Sequence, residues 1–312
     1  MNDQKKERFL ITGGSGFVGW NLCNYLKGRH EVFATYYSHP VNSAGCNFLQ
    51  IDLTSRSRVL ETIARVKPSI ILHAAALSSP DLCEKDRSRA REVNVMGTQH
   101  ILDAACACGI RVVYISTDLV FDGETGNYDE TCKPRPINYY GETKREGEKL
   151  CRNSPADSLV VRITLQYGWG NGENVSFSDW LMASLTAGKQ VSLFADQYRT
   201  LTYVMDTARG LELAALQGSA GNLYHLTGPE RIDRYEFGSI FASIFNFPLD
   251  LLKKSLMQDV PARAPRPKDV SLNGDRFFSQ FGFRPRGIRE GLAAMAKSVQ
   301  GPSGQGFKGS SE

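Results

Sequence analysis

Phe9-Leu-Ile-Thr12, followed by Gly13-Gly14-Ser15-Gly16-Phe17-Val18-Gly19, places a glycine-rich turn between a short apolar run and a longer amphipathic one. Glycine permits positive φ angles and lets a phosphate approach the backbone, while amides at the following helix N-terminus point at it. Such turns also simply join a strand to a helix, so the position directly after the first strand carries the argument. The turn predicts a dinucleotide-binding site that includes Gly13, Ser15, Gly16, Phe17, Val18 and Gly19.

The rest of the first half alternates short β-branched or aromatic runs with longer amphipathic ones. This pattern is typical of a parallel sheet built from βαβ units. It predicts an α/β fold, a Rossmann-type doubly wound parallel sheet. The predicted strands are Arg8–Thr12, Glu31–Tyr36, Cys46–Ile51, Ser69–His73, Arg111–Thr117, Leu159–Ile163 and Asn222–Leu226. The predicted helices are Gly16–Lys27, Ser57–Val66, Asp86–Cys108 and Tyr139–Cys151.

The alternation loosens beyond residue 168, where a Gly/Asn-rich turn is followed later by a Pro/Arg segment at 261–267. We therefore expect a cofactor-binding Rossmann domain over residues 1–167, with a contribution from about 206–227. A smaller C-terminal substrate-binding lobe is expected from 168–205 and 228–298. Residues 299–312 are rich in Gly and Ser and are predicted to be disordered.

The composition is that of an ordinary globular protein, since 41% of the 312 residues are apolar and 22% are charged. The first residues are too polar for a signal peptide, and no apolar stretch reaches the roughly 18 residues that span a bilayer. We therefore expect a cytoplasmic protein with no membrane partner. The formal charge of +4 is small and the basic residues are interspersed with acids, so no nucleic-acid partner is predicted.

The seven cysteines are scattered and include no C-x-x-C pair. An odd number in this arrangement indicates neither a disulfide framework nor a zinc site. We expect free thiols and no metal.

The end of the second strand bears on which dinucleotide is bound. A site that prefers NAD usually carries an acid there, which binds the ribose 2′-hydroxyl. Tyr36, Ser38 and His39 stand at this end, and no acid does. A 2′-phosphate would meet hydroxyls and an imidazole, so the sequence favours NADP(H). The alternative, that neither cofactor is discriminated and NAD(H) is also used, stays open.

Two further strand ends supply candidate cofactor-binding residues. Asp52 and Leu53 follow the third strand, where the carboxylate would accept from the adenine amino group; a capping role ahead of the next helix is the alternative. The fourth strand ends in Ala74, Ala75 and Ala76. These small residues let a flat cofactor lie against the backbone, or else serve only tight core packing.

A candidate acid–base pair lies downstream. The fifth strand ends in Thr117, and some twenty residues later Tyr140 precedes Lys144 by one helical turn, so the two share a face. We expect the ammonium to lower the pKa of the phenol from near 10 toward neutrality, which suits general acid–base catalysis. The alternative is that the two residues belong to an exposed amphipathic helix face with no catalytic role. Tyr139 is a weaker candidate for the acid–base tyrosine.

Four segments together resemble the dTDP-4-dehydrorhamnose reductase family of extended short-chain dehydrogenases. They are the turn at 13–19, Asn94-Val95-Met96-Gly97-Thr98, Ser116-Thr117-Asp118-Leu119-Val120-Phe121-Asp122-Gly123, and the segment from Tyr140 to Lys144. The likeness covers residues 8 to about 298, and the Ser-Thr-Asp-x-Val-Phe run is its most specific part.

The resemblance implies an activity and roles for individual residues. The family reduces a 4-keto group on a nucleotide-linked 6-deoxysugar with NADPH or NADH, so the implied partner is a nucleotide sugar, and a homodimer is plausible. Thr117 would hydrogen-bond the substrate carbonyl, Tyr140 would donate the proton, and Lys144 would bind the nicotinamide ribose. Asn94, Tyr140 and Lys144 are implied in cofactor binding. The implied substrate-binding residues are Ser78, Thr117, Asp118, Phe121, Leu165 and Arg199.

Two departures from the family pattern concern the substrate lobe. The reductases tend to carry a tryptophan after the sixth strand, where this chain has Thr164-Leu165-Gln166, and Leu201 replaces a usual proline. These positions leave the sugar undetermined. Arg199 and Arg266 are candidates to pair with a pyrophosphate, with an ordinary surface role as the alternative.

Other reactions remain to be weighed. In the related 4,6-dehydratases the motif resembles Thr-Asp-Glu, whereas this chain has Thr117-Asp118-Leu119, so reduction is favoured over water elimination. A 4-epimerase is disfavoured by the missing acid after the second strand. The alternative from another class is a non-catalytic NADP-binding subunit, similar to the regulatory β-subunit of methionine adenosyltransferase. The intact Thr117, Tyr140 and Lys144 set favours catalysis.

Overall fold

The glycine-rich turn follows an internal strand of a seven-stranded parallel sheet in this computed structural model, which describes residues 6–41, 43–172, 176–260 and 264–299. The strands are β1 (Arg8–Thr12), β2 (Glu31–Tyr36), β3 (Asn47–Gln50), β4 (Ile70–His73), β5 (Arg111–Thr117), β6 (Ser158–Ile163), β7 (Gln166–Tyr167), β8 (Val191–Phe194), β9 (Tyr198–Arg199), β10 (Thr202–Tyr203), β11 (Leu223–Leu226), β12 (Ile232–Asp233) and β13 (Leu252–Ser255). The large sheet has the order β11-β6-β5-β4-β1-β2-β3. This order confirms the predicted doubly wound fold.

The helices connect these strands across both faces of the sheet. They are α1 (Phe17–Leu26), α2 (Arg56–Val66), α3 (Pro80–Lys85), α4 (Arg87–Arg91), α5 (Gly97–Cys108), α6 (Tyr139–Asn153), α7 (Phe177–Thr186), α8 (Val204–Gln217), α9 (Arg234–Ile244), α10 (Asp275–Phe281) and α11 (Ile288–Val299). A π turn, Glu92–Met96, joins α4 to α5. The predicted helix Asp86–Cys108 is therefore correct in extent, but it contains a change of helical pitch that the apolar periodicity does not reveal.

Successive side chains of β1 point to opposite faces of the large sheet and enter two separate apolar cores. Phe9 and Ile11 belong to one apolar cluster, whereas Leu10 belongs to the cluster on the opposite face, as the two-residue period of a strand requires. Leu22 of α1 packs in the first cluster and Ile101 of α5 in the second. Burial on both faces accounts for the continuous apolar runs from which the parallel strands are predicted.

A third apolar cluster lies beyond the large sheet. It draws on α7, α9 and α11, through residues such as Leu181, Phe237 and Leu292, and on the parallel pair β8 and β13. These residues all fall within the predicted lobe segments. Two further short pairs are β10 with β7 and β12 with β9.

The remaining expectations concern the ends and the thiols. Residues 300–312 of the predicted tail lie outside the described residues. All seven cysteines are free thiols, as predicted. Within the described ranges, no helix combines the length and the apolar character needed to cross a bilayer.

A buried ion pair ties α6 to the centre of the sheet. Glu148 accepts two hydrogen bonds of 2.7 Å from Arg162 of β6, and the two side chains are only 5% and 3% exposed. Ser116 at the end of β5 donates to the same carboxylate at 2.6 Å. The guanidinium also bonds the ring of His225 on β11 at 3.1 Å. The pair thus sets the position of the helix that carries Tyr140.

Replacing Glu148 with Gln should destabilise the protein, because it leaves the Arg162 guanidinium buried without a counter-charge. Breaking a buried pair from one side costs about 3–5 kcal/mol. Urea denaturation of wild type and Glu148→Gln measures the loss in the free energy of unfolding.

Glu146→Gln is the matched control on the same helix. Glu146 pairs with Arg91, and both side chains are substantially exposed, so its loss should cost less than about 1 kcal/mol. Equal effects of the two substitutions would contradict the role given to the buried pair.

Candidate active site

The carboxyl ends of the parallel strands open into one cavity of about 790 Å³, within the range of small-molecule sites. Ligands of open α/β sheets bind at this edge. Most of the residues predicted from the sequence lie in its wall. They are Gly13, Ser15, Gly16, Phe17, Val18, Gly19, Tyr36, His39, Asp52, Leu53, Ala74, Ala75, Ala76, Ser78, Thr117, Asp118, Tyr140, Lys144, Leu165, Arg199 and Arg266.

The glycine-rich turn is held against neighbouring strands by close backbone contacts. Gly13 has a φ of +71°, and a Cβ there would lie 2.7 Å from the Cα of Ala75. A Cβ at Gly19 would lie 2.1 Å from the carbonyl oxygen of Gly13. The Gly14 amide donates to the Thr35 carbonyl at 2.6 Å. Only glycine fits these positions, and the result is a fixed backbone cradle at the N-terminus of α1.

Asp52 takes part in the turn before α2 and also faces the cavity. Its Oδ1 accepts from the amide of Thr54 at 2.9 Å and from the Thr54 hydroxyl at 2.7 Å, which closes the turn before α2. Asp52 also lines the cavity. Similarly, Ala75 packs on Gly13 and lines the cavity, so core packing and a flat cavity wall are not exclusive.

Three predicted residues, Phe121, Ser38 and Asn94, do not line the cavity. Phe121 is fully buried and stacks on Tyr128 at a centroid distance of 4.1 Å, because the turn after β5 rotates its ring into a separate apolar cluster. The Ser38 hydroxyl lies 2.8 Å from Nδ1 of His39, and only His39 of the two lines the cavity. Sequence position at a strand end did not fix the side-chain direction.

Asn94, also expected at the cofactor, has a different placement. It is buried in the π turn, where its Oδ1 accepts from the Leu77 amide at 2.7 Å and its Nδ2 donates to the Leu77 carbonyl at 3.1 Å. Nδ2 also donates to the Thr143 hydroxyl at 2.9 Å. Asn94 therefore fixes the segment after β4 relative to α6, and it stands behind the cavity wall.

Tyr140 and Lys144 lie on α6, which is capped by Asn138, whose side chain accepts from the Gly141 amide at 2.9 Å. Lys144 is 2% exposed, with its Nζ 4.0 Å from the ring centroid of Tyr114. Burial lowers the pKa of Lys144 to about 8. Both side chains face the same cavity.

The pKa of Tyr140 is shifted opposite to the sequence expectation. Burial raises it above the usual value for a phenol, and the Asp118 carboxylate raises it further. Charge spacing along the sequence cannot reveal this desolvation. The phenol is consequently protonated at neutral pH, which is the form that donates a proton.

Thr117 and Asp118 form a linked pair beside Tyr140. The Thr117 hydroxyl donates to Asp118 at 3.1 Å, and Asp118 accepts a 2.6 Å hydrogen bond from Arg199. Both members of this ion pair are about 95% buried. Arg199 thus lines the cavity as expected, with its charge already partly engaged by a carboxylate.

A further arginine in the wall was not predicted. Arg234, at the start of α9, donates through Nε to Gln197 at 2.7 Å and lies over the Phe177 ring at 4.8 Å. Burial and the neighbouring Arg199 lower its pKa to about 9. Arg266 lines the same cavity and pairs with Asp81 at 2.7 Å. No sequence motif marks Arg234, since only tertiary packing brings α9 here.

Comparison with known proteins identifies a family and several relatives of this chain. The family model described as the RmlD substrate binding domain matches residues 7–300. A dTDP-4-dehydrorhamnose reductase of Aggregatibacter actinomycetemcomitans is 31% identical, over 89% of this chain and 94% of that protein. The methionine adenosyltransferase 2 subunit beta of Xenopus tropicalis is 30% identical, over 91% and 87%.

A solved structure agrees in fold. The dTDP-4-dehydrorhamnose reductase of Bacillus anthracis in complex with NADP superposes with a TM-score of 0.83 and 27% identity. The match covers 94% of this chain and all of that one. The similarity therefore extends over both the large sheet and the lobe.

Lys144 should titrate near pH 8, because its ammonium is buried beside an aromatic ring. The neutral amine of Lys144 is favoured in the folded protein. Between about pH 8 and 10.5 the unfolded chain therefore binds more protons than the folded protein does. The free energy of unfolding of wild type, relative to Lys144→Met, should therefore rise across this window.

NMR of carbon-labelled lysine reports the titration, and denaturation at several pH values reports the stability. Lys149→Met, at an exposed position of the same helix, should show no such dependence relative to wild type. If no lysine titrates below about pH 9.5, against the ordinary value of about 10.4, the burial argument fails.

Proposed function

The chain belongs to the RmlD substrate binding domain family, and on that premise we propose that it is an NADPH-dependent reductase of a 4-keto group on a nucleotide-linked 6-deoxysugar, with Tyr140 as proton donor. The observation that carries the proposal is the meeting of Thr117, Tyr140 and Lys144 in one cavity with the glycine-rich cradle. The reductase relatives support it.

The cradle fits a dinucleotide. The turn from Gly13 to Gly19 places glycine backbone at the cavity, at the N-terminus of α1. Asp52 and Ala75 line the adjoining surface. The absence of an acid at the end of β2 and the NADP-bound relative support NADP(H) over NAD(H). When bound, this cofactor supplies the hydride.

Side chains of this protein donate the proton that the reduction requires. Reduction of a ketone leaves an alkoxide that needs a proton, and Tyr140 holds one because burial raises the pKa of its phenol. Lys144, with a pKa of about 8, is mostly charged at pH 7 and stabilises the phenolate that remains. The Thr117 hydroxyl donates to Asp118 in this structure, and it would turn its single hydrogen toward the substrate carbonyl to orient that group.

The residue after Asp118 supports reduction over elimination. Leu119 lines the cavity where a dehydratase-like motif would place a carboxylate. An aliphatic side chain transfers no proton, so water elimination lacks its acid–base partner at this position.

The opposite wall suits an anionic substrate. Arg199, Arg234 and Arg266 line the cavity, while Asp118 and Asp81 pair with two of them. The remaining positive charge on Arg234 favours a substrate with phosphates. This agrees with a nucleotide-linked sugar bound by the lobe.

A second candidate is a non-catalytic NADP-binding subunit. The subunit beta of methionine adenosyltransferase 2 is similar to this chain over nearly the same length as the reductases. Such a role requires cofactor binding but no proton donor. Turnover that depends on Tyr140 distinguishes the two candidates.

Tyr140→Phe should lower turnover by roughly 100-fold or more, because it removes the proton donor and keeps the ring. NADPH oxidation is measured against a panel of nucleotide-linked 4-keto-6-deoxysugars, starting with dTDP-4-keto-6-deoxyhexoses. NADPH affinity, measured separately, should stay close to wild type.

Tyr139→Phe is the control, since Tyr139 is the adjacent residue and does not line the cavity. It should retain wild-type turnover. Undiminished turnover in Tyr140→Phe would remove this residue from the mechanism. Tight NADPH binding with no turnover across the panel would favour the regulatory candidate.

A further inference from the structure

The cavity has a basic residue at the end where β2 and β3 finish. Arg89 of α4 lines the cavity together with Tyr37, His39 and Asp52. The carbon of its guanidinium lies 5.5 Å from the centroid of the Tyr37 ring. Arg89 comes from a segment some fifty residues away from the second strand, so sequence inspection of the strand end does not find it.

This end of the cavity is where the adenosine ribose of a dinucleotide lies. The Gly14 amide bonds the Thr35 carbonyl at 2.6 Å, which holds the phosphate cradle against the end of β2. In doubly wound sheets the ribose 2′-position faces the residues that follow this strand. Tyr37 and His39 are those residues here, and Arg89 adjoins them.

The charge at this place matches a phosphate monoester. No acid stands among residues 36–39, and Arg89 brings a permanently charged, planar set of donors suited to phosphate. It pairs with Glu92 at 3.3 Å, with side chains 34% and 51% exposed, and it also interacts electrostatically with the Asp52 carboxylate at the same end of the cavity. Pairs this exposed contribute about 0–1 kcal/mol, so a phosphate dianion competes well for the guanidinium.

We propose that Arg89, with Tyr37 and His39, binds the 2′-phosphate of NADP(H) and sets the preference over NAD(H). The proposal rests on the dinucleotide part of the proposed function and not on the sugar. The hydroxyl of Ser38, which the sequence suggested for this task, is directed at His39 and lies outside the cavity wall. The guanidinium takes its place as the group that distinguishes the two cofactors.

The test is calorimetric binding to the full chain of four probes: NADP⁺, NAD⁺, adenosine 2′,5′-bisphosphate and 5′-AMP. Arg89→Gln should weaken the two 2′-phosphorylated probes by about 10- to 100-fold, as expected for lost charge-assisted hydrogen bonds. Binding of NAD⁺ and 5′-AMP should change by less than about twofold, a difference of under 1 kcal/mol. None of these measurements needs a sugar substrate, so a failed reductase assay leaves the test intact.

Arg91→Gln is the matched control, two residues along the chain and paired with Glu146 outside the cavity. It should leave all four affinities unchanged. Glu92→Gln removes the competing carboxylate and should keep or tighten NADP⁺ binding. Equal losses for all four probes in Arg89→Gln, or no loss for any, would overturn the proposal, as would a loss in Glu92→Gln that matches Arg89→Gln.

Discussion

The close approach of the β1–α1 turn to the end of β4 is the constraint on which the cavity depends. A Cβ at Gly13 would lie 2.7 Å from the Cα of Ala75, so the two backbones are in direct contact. Thr12 reinforces this contact, because its hydroxyl lies 2.7 Å from the His73 ring and accepts from the Ala75 amide at 3.2 Å. The phosphate cradle and the cavity floor are thereby parts of one rigid unit.

Uncompensated positive charge is the second property of the site. Burial lowers the pKa of Lys144 to about 8 and that of Arg234 to about 9, which shows that the fold holds these cations unfavourably. A bound anion stabilises the charged forms of these side chains. The free energy that their burial costs in the unliganded protein is therefore regained on binding. The Asp118 carboxylate, already paired with Arg199 at 2.6 Å, offsets only part of the charge.

Continuous apolar runs predict the strands of the large sheet, which are buried on both faces. The helical period of about 3.6 residues predicts α1, α2, α4, α5 and α6 of the first half of the chain. Side-chain direction at irregular positions does not follow from such patterns. Phe121 therefore turns into the core, although its motif implied the substrate. Arg89 and Arg234 reach the cavity only through tertiary packing. Desolvation of Tyr140 reverses the pKa shift expected from its spacing to Lys144.

The site separates into groups for binding and groups for chemistry. In the proposed function the glycine cradle and the cations of the wall bind a phosphorylated cofactor and substrate, whereas a regulatory subunit would need the cofactor part alone. Tyr140 and Thr117 add nothing to the binding of phosphates. The fold nevertheless buries the phenol beside Asp118, which raises its pKa and keeps it protonated. Cofactor binding alone gives no task to a buried phenol beside a hydroxyl that donates to a carboxylate, so these groups are what the proposed reduction adds to the site.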